Sequence, residues 1–433
     1  MINPHLKTDQ ITYFLNYTRA RVAVVHDSIM NSFQYAIDKA EHLDKTLIVG
    51  QPVDGFPHFS QMAKEVPDKL SAIDTHKDDP AMWLFSGGTT GKPKAVVQSH
   101  RSFANTTERY AKETLGYHKN DITLSVPKLF FGYATGSNLF FPFSVGASTV
   151  LFPDRPTPEV LFDKIKQHQP SIMINVPTMI NRMVNHPDAE NQDLSCLRFT
   201  TSAGEALPSE LHHLWNNRFG SDLLDGLGTA EMWHIFISNR PGEIYPGTLG
   251  KTVPGFEVKV CDNAGNTLSD NQIGELWVRG DSRALYYWQQ MDKTAQAFQG
   301  EWYVSGDLVQ RDKAGVFTYC GRRDDMIKVT GKWVSPKEIE NCLLQHRLVK
   351  ECAVVGMKDN SGLMKAHAFV IPAEQEEQME KTLQDFVVEK LAPYKAPRSV
   401  TITPSLPRTH LGKIDRGKLR NRDTALLESV KPG

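Results

Sequence analysis

Nine residues carry the densest chemical signal in this chain: Ser86-Gly87-Gly88-Thr89-Thr90-Gly91-Lys92-Pro93-Lys94. Glycines let the backbone fold back so that several N–H groups face one anion. Threonine hydroxyls add donors, and a lysine ammonium adds a compact charge. By composition this is a phosphate grip, although a Gly/Thr turn between two strands accounts for the same residues. It is not a Walker A loop, because Pro93 follows Lys92 and Ala95-Val96-Val97 favours a strand over a helix. Nor is it a dinucleotide fingerprint, and the later Gly226-Leu227-Gly228-Thr229-Ala230-Glu231 fails that pattern at its last position.

Further groups lie downstream. Ser202-Ala203-Gly204-Glu205 and Asp225-Gly226-Leu227-Gly228 each follow a strand-like run, the place where open α/β sheets bind ligands. Ordinary strand-to-helix turns are the plainer reading. Glu231 closes the second group. A single carboxylate near phosphates can hold Mg²⁺, which takes one or two carboxylates plus phosphate and water oxygens; a solvated glutamate is the alternative. Trp302-Tyr303-Val304-Ser305-Gly306-Asp307 ends in a carboxylate, expected on a tight turn, that can accept ribose hydroxyls or simply stabilise the turn. Gly321-Arg322-Arg323-Asp324-Asp325 reads as a charged linker. Arg408 to Arg422 holds six Lys/Arg and one acid, a basic surface or a weak nucleic-acid patch. There is no H-E-x-x-H metal motif and no G-x-S-x-G nucleophile motif.

The elements that must position these groups fall into two textures. The first half alternates helix-like and strand-like stretches: a helix after Asp9 as N-cap, a strand at Val22–Val25, a helix over Ile29–Leu43 and a strand at Thr46–Val49. The alternation returns at residues 158–219, as expected for a parallel sheet layered with helices. After about Gly247, short runs such as 256–260 and 275–278 separated by Gly and Asn turns read as antiparallel strands. Ser335-Pro336-Lys337-Glu338 opens a helix with a capping box. Two β-like runs and an amphipathic helix over Glu376–Leu391 follow, so the last hundred or so residues read as a small α+β domain.

Composition bounds the function. The chain has 433 residues with 49 Lys+Arg against 50 Asp+Glu, a net charge of −1, so no global basic field exists to attract nucleic acid. Forty per cent hydrophobic and 23% charged residues exclude a disordered or fibrous chain. Five cysteines without a C-x-x-C pair suit a reducing cytoplasm. No secretory leader is visible at the start of the sequence. Leu129–Pro153 is 25 residues without a charge, but Gly132, Gly136, Pro142 and Gly146 interrupt it, so a buried helix, turn and strand is expected, not a membrane span.

Taken in order, Ser86–Lys94, Ser202–Glu205, Gly228–Glu231, Ser305-Gly306-Asp307, Gly321–Asp324 and Gly412-Lys413 resemble the motif series of the adenylate-forming acyl-CoA synthetase superfamily. Lys128-Leu129-Phe130-Phe131-Gly132-Tyr133 and Met232-Trp233-His234-Ile235-Phe236 look most like its benzoate–CoA ligase branch. The resemblance spans essentially the whole chain. It implies an α/β fold: a large domain over residues 1–323, of layered α/β subdomains plus a β-rich one, and a small mobile α+β domain over 324–433. It implies ATP, Mg²⁺ and coenzyme A, an aryl carboxylic acid as substrate, no nucleic acid and no membrane; an oligomer is compatible with it. Residue by residue, it implies that Ser86, Gly87, Gly88, Thr89, Thr90, Gly91 and Lys94 grip phosphates, with Thr89 catalytic. Glu231 holds the metal. Gly204, Glu205, Asp225, Gly226, Leu227, Gly228 and Thr229 line the nucleotide site. Asp307 and Arg322 hold the ribose, and Phe131, Tyr133 and His234 the acid. Lys413 is the catalytic lysine of the small domain, and Asp324 is the hinge.

The chain departs from the superfamily pattern at several places. Gly87 stands where a second Ser is usual, Ala95 replaces a closing Gly, Ala230 replaces Thr, and Leu227 replaces an aromatic. Ile2-Asn3-Pro4 matches text well inside the usual large domain, so about 100 residues that precede it in relatives are expected to be absent. Two alternatives stay open at this point: an aryl-acid adenylating enzyme that loads a carrier-protein thiol, and an inactive or partner-completed relative.

Overall fold

The computed structural model describes residues 1–86, 93–329, 332–359, 363–374, 376–408 and 414–420. The chain divides into two compact units, Met1–Asp79 and Pro80–Gly433. In the first, helix α1 (Thr8–Thr18) and strand β1 (Val22–His26) precede helix α2 (Met30–Asp38) and strand β2 (Lys45–Val49). β1 and β2 pair in parallel. Asp9 lies in the first turn of α1 and does not cap it; the preceding residue is Lys7, whose N–H donates to Gln10 Oε1 at 3.1 Å. α2 stops at Asp38, five residues short of the expected end at Leu43. Asn16 of α1 explains this, because its side chain bonds Lys39 O and Glu41 N and so satisfies groups a longer helix would have used.

The second unit opens with an antiparallel pair, β3 (Pro80–Ser86) and β4 (Lys94–Ser99). Five parallel strands follow: β5 (Ile122–Ser125), β6 (Ser148–Val150), β7 (Ile172–Asn175), β8 (Phe199–Ser202) and β9 (Leu223–Gly228). With β10 (Ile235–Ser238) and β11 (Lys251–Thr252) they form one seven-stranded sheet in the order β11-β10-β9-β8-β7-β5-β6. The two-residue period of the strands decides the packing. Met173 and Leu223 face the helices Pro158–His168, Pro177–Val184 and Ser209–Phe219 together with Leu161, Ile180 and Trp215. Their neighbours Ile172, Ile174 and Leu224 face Tyr110, Tyr117 and Phe141 on the other side. Burial on both faces is why these strands read as apolar runs. The uncharged stretch at 129–153 is helical from Gly132 to Ser144 and then forms β6. No described helix is long and apolar enough to cross a membrane.

Beyond the sheet lie β12 (Glu257–Cys261), β13 (Ile273–Arg279), β14 (Tyr286–Tyr287), β15 (Phe298–Gln299), β16 (Trp302–Arg311) and β17 (Phe317–Arg322). All but β14 join one antiparallel sheet; β14 pairs with β4. The last part holds β18 (Ile327–Val329), β19 (Lys332–Val334), β20 (Val349–Lys358), β21 (Met364–Pro372) and β22 (Ser399–Ile402), with helices Pro336–Leu343 and Met379–Lys390 over its own core. Ser335 caps the first of these helices, its hydroxyl accepting from Glu338 N at 3.3 Å. Glu338 does not complete the box, because Lys395 takes its carboxylate at 2.5 Å.

Two local expectations change. Asp225–Gly228 does not follow a strand but is the end of β9. The glycines allow this, since a Cβ on Gly228 would stand 2.5 Å from His234 O, just before β10. Asp307 is likewise inside β16 and not on a tight turn; Gly306, at φ 71°, lets the strand bulge against β13.

Candidate active site

Three sets of predicted residues meet where β3, β4, β9 and β16 end or bulge. Ser86 closes β3 and Lys94 opens β4, and the two are cross-strand partners. Gly87, Gly88, Thr89, Thr90 and Gly91, between them, lie outside the described residues, as does Lys413. Glu231 stands on a short 3-10 turn (Ala230–Met232) after β9, capped by Thr229, whose hydroxyl accepts from Met232 N at 3.3 Å. Its Oε1 accepts from Tyr287 Oη at 2.8 Å and lies 3.6 Å from Lys94 Nζ. Burial lowers the Lys94 pKa, and Glu231 opposes that shift. Arg322 Nη1 donates to Asp307 Oδ1 and to Ser305 O, both at 3.0 Å. Burial raises the Asp307 pKa in spite of Arg322, and the charge of Glu231 adds to the rise. Lys94 in turn feels the charge of Arg322. Two cations and two carboxylates therefore share one electrostatic neighbourhood.

The predicted nucleotide residues form a second group. Ser202 and Asp225 are partners across β8 and β9. Asp225 Oδ1 and Ser202 Oγ are buried, and the Ser202 hydroxyl together with the backbone at Gly226 and Leu207 favours the charged carboxylate against its burial. Burial pushes the Asp225 carboxyl up to about 8. A buried serine and carboxyl paired at the carboxyl ends of parallel strands stand where open α/β sheets bind ligands. Glu205 Oε2 accepts from Thr178 Oγ1 at 2.8 Å, and Gly204 has φ 88°. Leu227 is half-buried against the core.

A third group is aromatic. His234 Nε2 lies 3.0 Å from Tyr133 O and 3.1 Å from Ser137 Oγ. A carbonyl only accepts, so Nε2 carries the proton and Nδ1 is the lone-pair nitrogen; it is buried without a partner. Burial pulls the His234 pKa down to about 4, so the ring is neutral at physiological pH. Tyr133 lies 5.4 Å from the His234 ring and donates from Oη to Thr201 Oγ1 at 2.7 Å. Phe131 immediately precedes the helix carrying Tyr133 and packs on Phe130 at 4.5 Å. Trp233 turns the chain between Glu231 and His234 at φ 64°, a strained conformation for a bulky residue, held by burial against Phe103 and Phe140. Asp324 is exposed on the turn Arg323–Asp325 after β17.

Tyr287, Tyr319 and Ser137 belong to no motif and were not anticipated. Tyr319 Oη donates to Asp307 Oδ1 at 3.2 Å. Tyr287 meets Glu231 and Ser137 meets His234 across 56 and 97 residues, and Tyr319 meets Asp307 across the β16–β17 pair, so spacing alone does not reveal them. A divalent cation fits Glu231 only in the Mg²⁺ manner. Among the described residues no cluster of three or more His, Cys, Asp or Glu could hold a metal, and Glu231 offers one carboxylate beside the β3–β4 strand pair.

The family described as AMP-binding enzyme matches residues 1–288, and the AMP-binding enzyme C-terminal domain matches residues 338–413. The chain belongs to the AMP-binding enzyme family. This AMP-binding enzyme is similar to a benzoate–CoA ligase of Thauera aromatica, 40% identical over 97% of the chain and 80% of that protein. It is 38% identical to a 4-hydroxybenzoate–CoA/benzoate–CoA ligase of Rhodopseudomonas palustris, over 100% of the chain and 81% of that protein. Among solved structures it superposes on the anthranilate CoA ligase AuaEII in complex with anthranoyl-AMP. There the TM-score is 0.91 at 39% identity, covering 96% of this chain and 81% of that one. A benzoate CoA ligase from Burkholderia xenovorans gives a TM-score of 0.88 at 38% identity, covering 97% and 83%.

Proposed function

We propose that this enzyme joins an aryl carboxylic acid to ATP, giving an acyl-adenylate and pyrophosphate, and then passes the acyl group to the thiol of coenzyme A, releasing AMP. The observation that carries this reading is the likeness, along nearly the whole chain, to ligases of benzoate and hydroxybenzoate. The aromatic wall of Tyr133 and His234 agrees with it, since a flat ring suits such a wall better than a long alkyl chain.

The first step brings a carboxylate to a phosphate, two anions, so neutralisation and alignment are what the chain must supply. In this reading Ser86, the backbone of Gly87, Gly88 and Gly91, the hydroxyls of Thr89 and Thr90, and Lys94 take the β- and γ-phosphates. Glu231 would hold Mg²⁺, which neutralises phosphate charge when bound. Gly204, Glu205, Asp225, Gly226, Leu227, Gly228 and Thr229 line the adenine side, and Asp307, fixed by Arg322, accepts the ribose hydroxyls. Phe131, Tyr133 and His234 hold the ring. Lys413 bridges the carboxylate and the α-phosphate, then must leave before the thiol enters. A boundary between 323 and 324, with Asp324 as hinge, accommodates that departure. We place the reaction in the cytoplasm, in keeping with five free thiols.

The test is ATP–pyrophosphate exchange with benzoate, hydroxybenzoates, aminobenzoates, cinnamates and fatty acids, followed by chromatography for the CoA thioester. Exchange with an aryl acid and accumulation of its thioester are expected. Exchange only with fatty acids, or aryl-adenylate that labels a phosphopantetheinyl carrier and never free CoA, would sink the reading.

A further inference from the structure

Tyr287 touches both Glu231 and Lys94 and belongs to none of the motifs. β14, which carries it, is clamped to the strand that begins with Lys94. Tyr286 and Tyr287 pair with Val97 and Val96. Leu285 N donates to Val97 O and Trp288 N to Ala95 O, both at 2.9 Å. The same segment holds the metal-side turn, because Ala284 N donates to Glu231 O at 2.7 Å. The buried phenol then meets Glu231 Oε1 at 2.8 Å, and its ring face lies 4.0 Å beneath Lys94 Nζ.

We propose that Tyr287 is a positioning residue that sets the Glu231 carboxylate for a divalent cation and shares with it the hold on the Lys94 ammonium. This rests on the reading above that Glu231 binds Mg²⁺. The terminal torsion of a glutamate is broad, so an unrestrained carboxylate does not choose its own plane. The hydroxyl occupies Oε1 and fixes that plane, leaving Oε2 as the free ligand atom. The ring gives the Lys94 ammonium a second attractive surface. Glu231 is already the ion-pair partner of that ammonium at 3.6 Å, so losing the ring leaves the carboxylate to hold it alone, in competition with the cation. Tyr287 thus keeps the lysine available for phosphate and the carboxylate available for metal.

The probe is Mn²⁺, read by electron paramagnetic resonance on the full chain with α,β-methylene-ATP. Nucleotide-analogue binding in EDTA is measured separately. Tyr287→Phe removes the hydroxyl and keeps the ring; Tyr287→Leu removes both. We expect Tyr287→Phe to weaken Mn²⁺ binding about tenfold, the scale of one hydrogen bond to a charged group, with analogue binding in EDTA unchanged. Tyr287→Leu weakens analogue binding in EDTA as well. In a Glu231→Gln background, Tyr287→Phe adds nothing further, whereas a merely structural tyrosine would add its full effect. Unchanged Mn²⁺ affinity in Tyr287→Phe, or additive losses in the double variant, overturns the inference alone. A wild-type enzyme that binds the analogue but no Mn²⁺ overturns the metal reading and this inference together.

Discussion

Asp307 and Arg322 are direct partners across β16 and β17, and Arg322 Nη1 donates to Asp307 Oδ1 at 3.0 Å. The carboxylate is 5% exposed and the guanidinium 45%, so the pair is half sunk. Removing the arginine strands a buried charge, which costs more than the pair itself contributes. Arg322→Gln should lower unfolding stability by about 2 kcal/mol, discounted from a fully buried pair for the exposed guanidinium. Adding Asp307→Asn should recover part of that loss. Urea unfolding of the four-member cycle checks it; a double variant as weak as the sum of the singles would show that the two residues act independently.

Glu231→Gln should raise the Mg²⁺ concentration needed for half-maximal pyrophosphate exchange by about tenfold or more. It should also change Lys94. Burial already lowers the pKa of that lysine, and Glu231 is the main group holding it up. Losing the carboxylate lowers it further, so a larger neutral fraction should react with an amine-acylating reagent at mildly alkaline pH. Mass-spectrometric footprinting reads this directly, and equal labelling of Lys94 in both proteins would argue against the coupling.

Much of this was legible in the sequence, and the gaps have a common cause. The strand run at 172–175 was visible because burial on both faces leaves an apolar signature in the chain itself, whereas the next strand, expected at 197–200, runs over 199–202 as Phe-Thr-Thr-Ser and shows no such signature. Ser86 and Lys94, Asp307 and Arg322, and Tyr133 and His234 were visible as motif members, and each pair is brought together. The division at Asp79 was not anticipated, because the residues before it are ordinary loop composition. Asp225 and Asp307 were expected beyond strand ends, because Gly beside Asp signals a turn locally. Here the glycines serve close approach of β10 and a bulge in β16. Tyr287 escaped notice because its contacts exist only once β14 lies on β4, a pairing of Tyr287 with Val96 and Tyr286 with Val97 that no local pattern encodes.

His234 gives the protein a pH dependence of stability. Its folded pKa is about 4 against an ordinary value of 6.5. Between those values the unfolded chain binds a proton that the folded chain refuses. Its contribution is therefore complete above 6.5 and is lost as pH falls toward 4, by about 3 kcal/mol in all. His234→Gln should flatten that window even if it is less stable at alkaline pH. Urea unfolding at about pH 8, 6 and 5 follows the difference. Parallel wild-type and variant curves across this range would refute a neutral buried imidazole.

The neighbours of Asp324 bear on the second half-reaction. Arg323 Nη1 bonds both oxygens of Glu275 on β13 at 3.2 Å. Asp325 on the other side is bonded by Arg420 of the last described helix. Asp324 thus sits between one residue tied to the β13–β16 sheet and one tied to the carboxyl-terminal part. If this turn absorbs a rotation, its own backbone torsions must change while both ties hold. Proline at 324 fixes φ and restricts Arg323 before it. Asp324→Pro should slow thioester formation from supplied aryl-adenylate by tenfold or more, on the order expected for a blocked gating step, while pyrophosphate exchange changes far less. Lys413→Ala should show the opposite split, losing exchange and sparing the thioester step, because its assigned work ends before the thiol enters. Rapid-quench measurement of both half-reactions on both variants decides it. Equal slowing of the two steps by Asp324→Pro would remove the hinge, and equal loss by Lys413→Ala would remove that lysine's assignment to the first step.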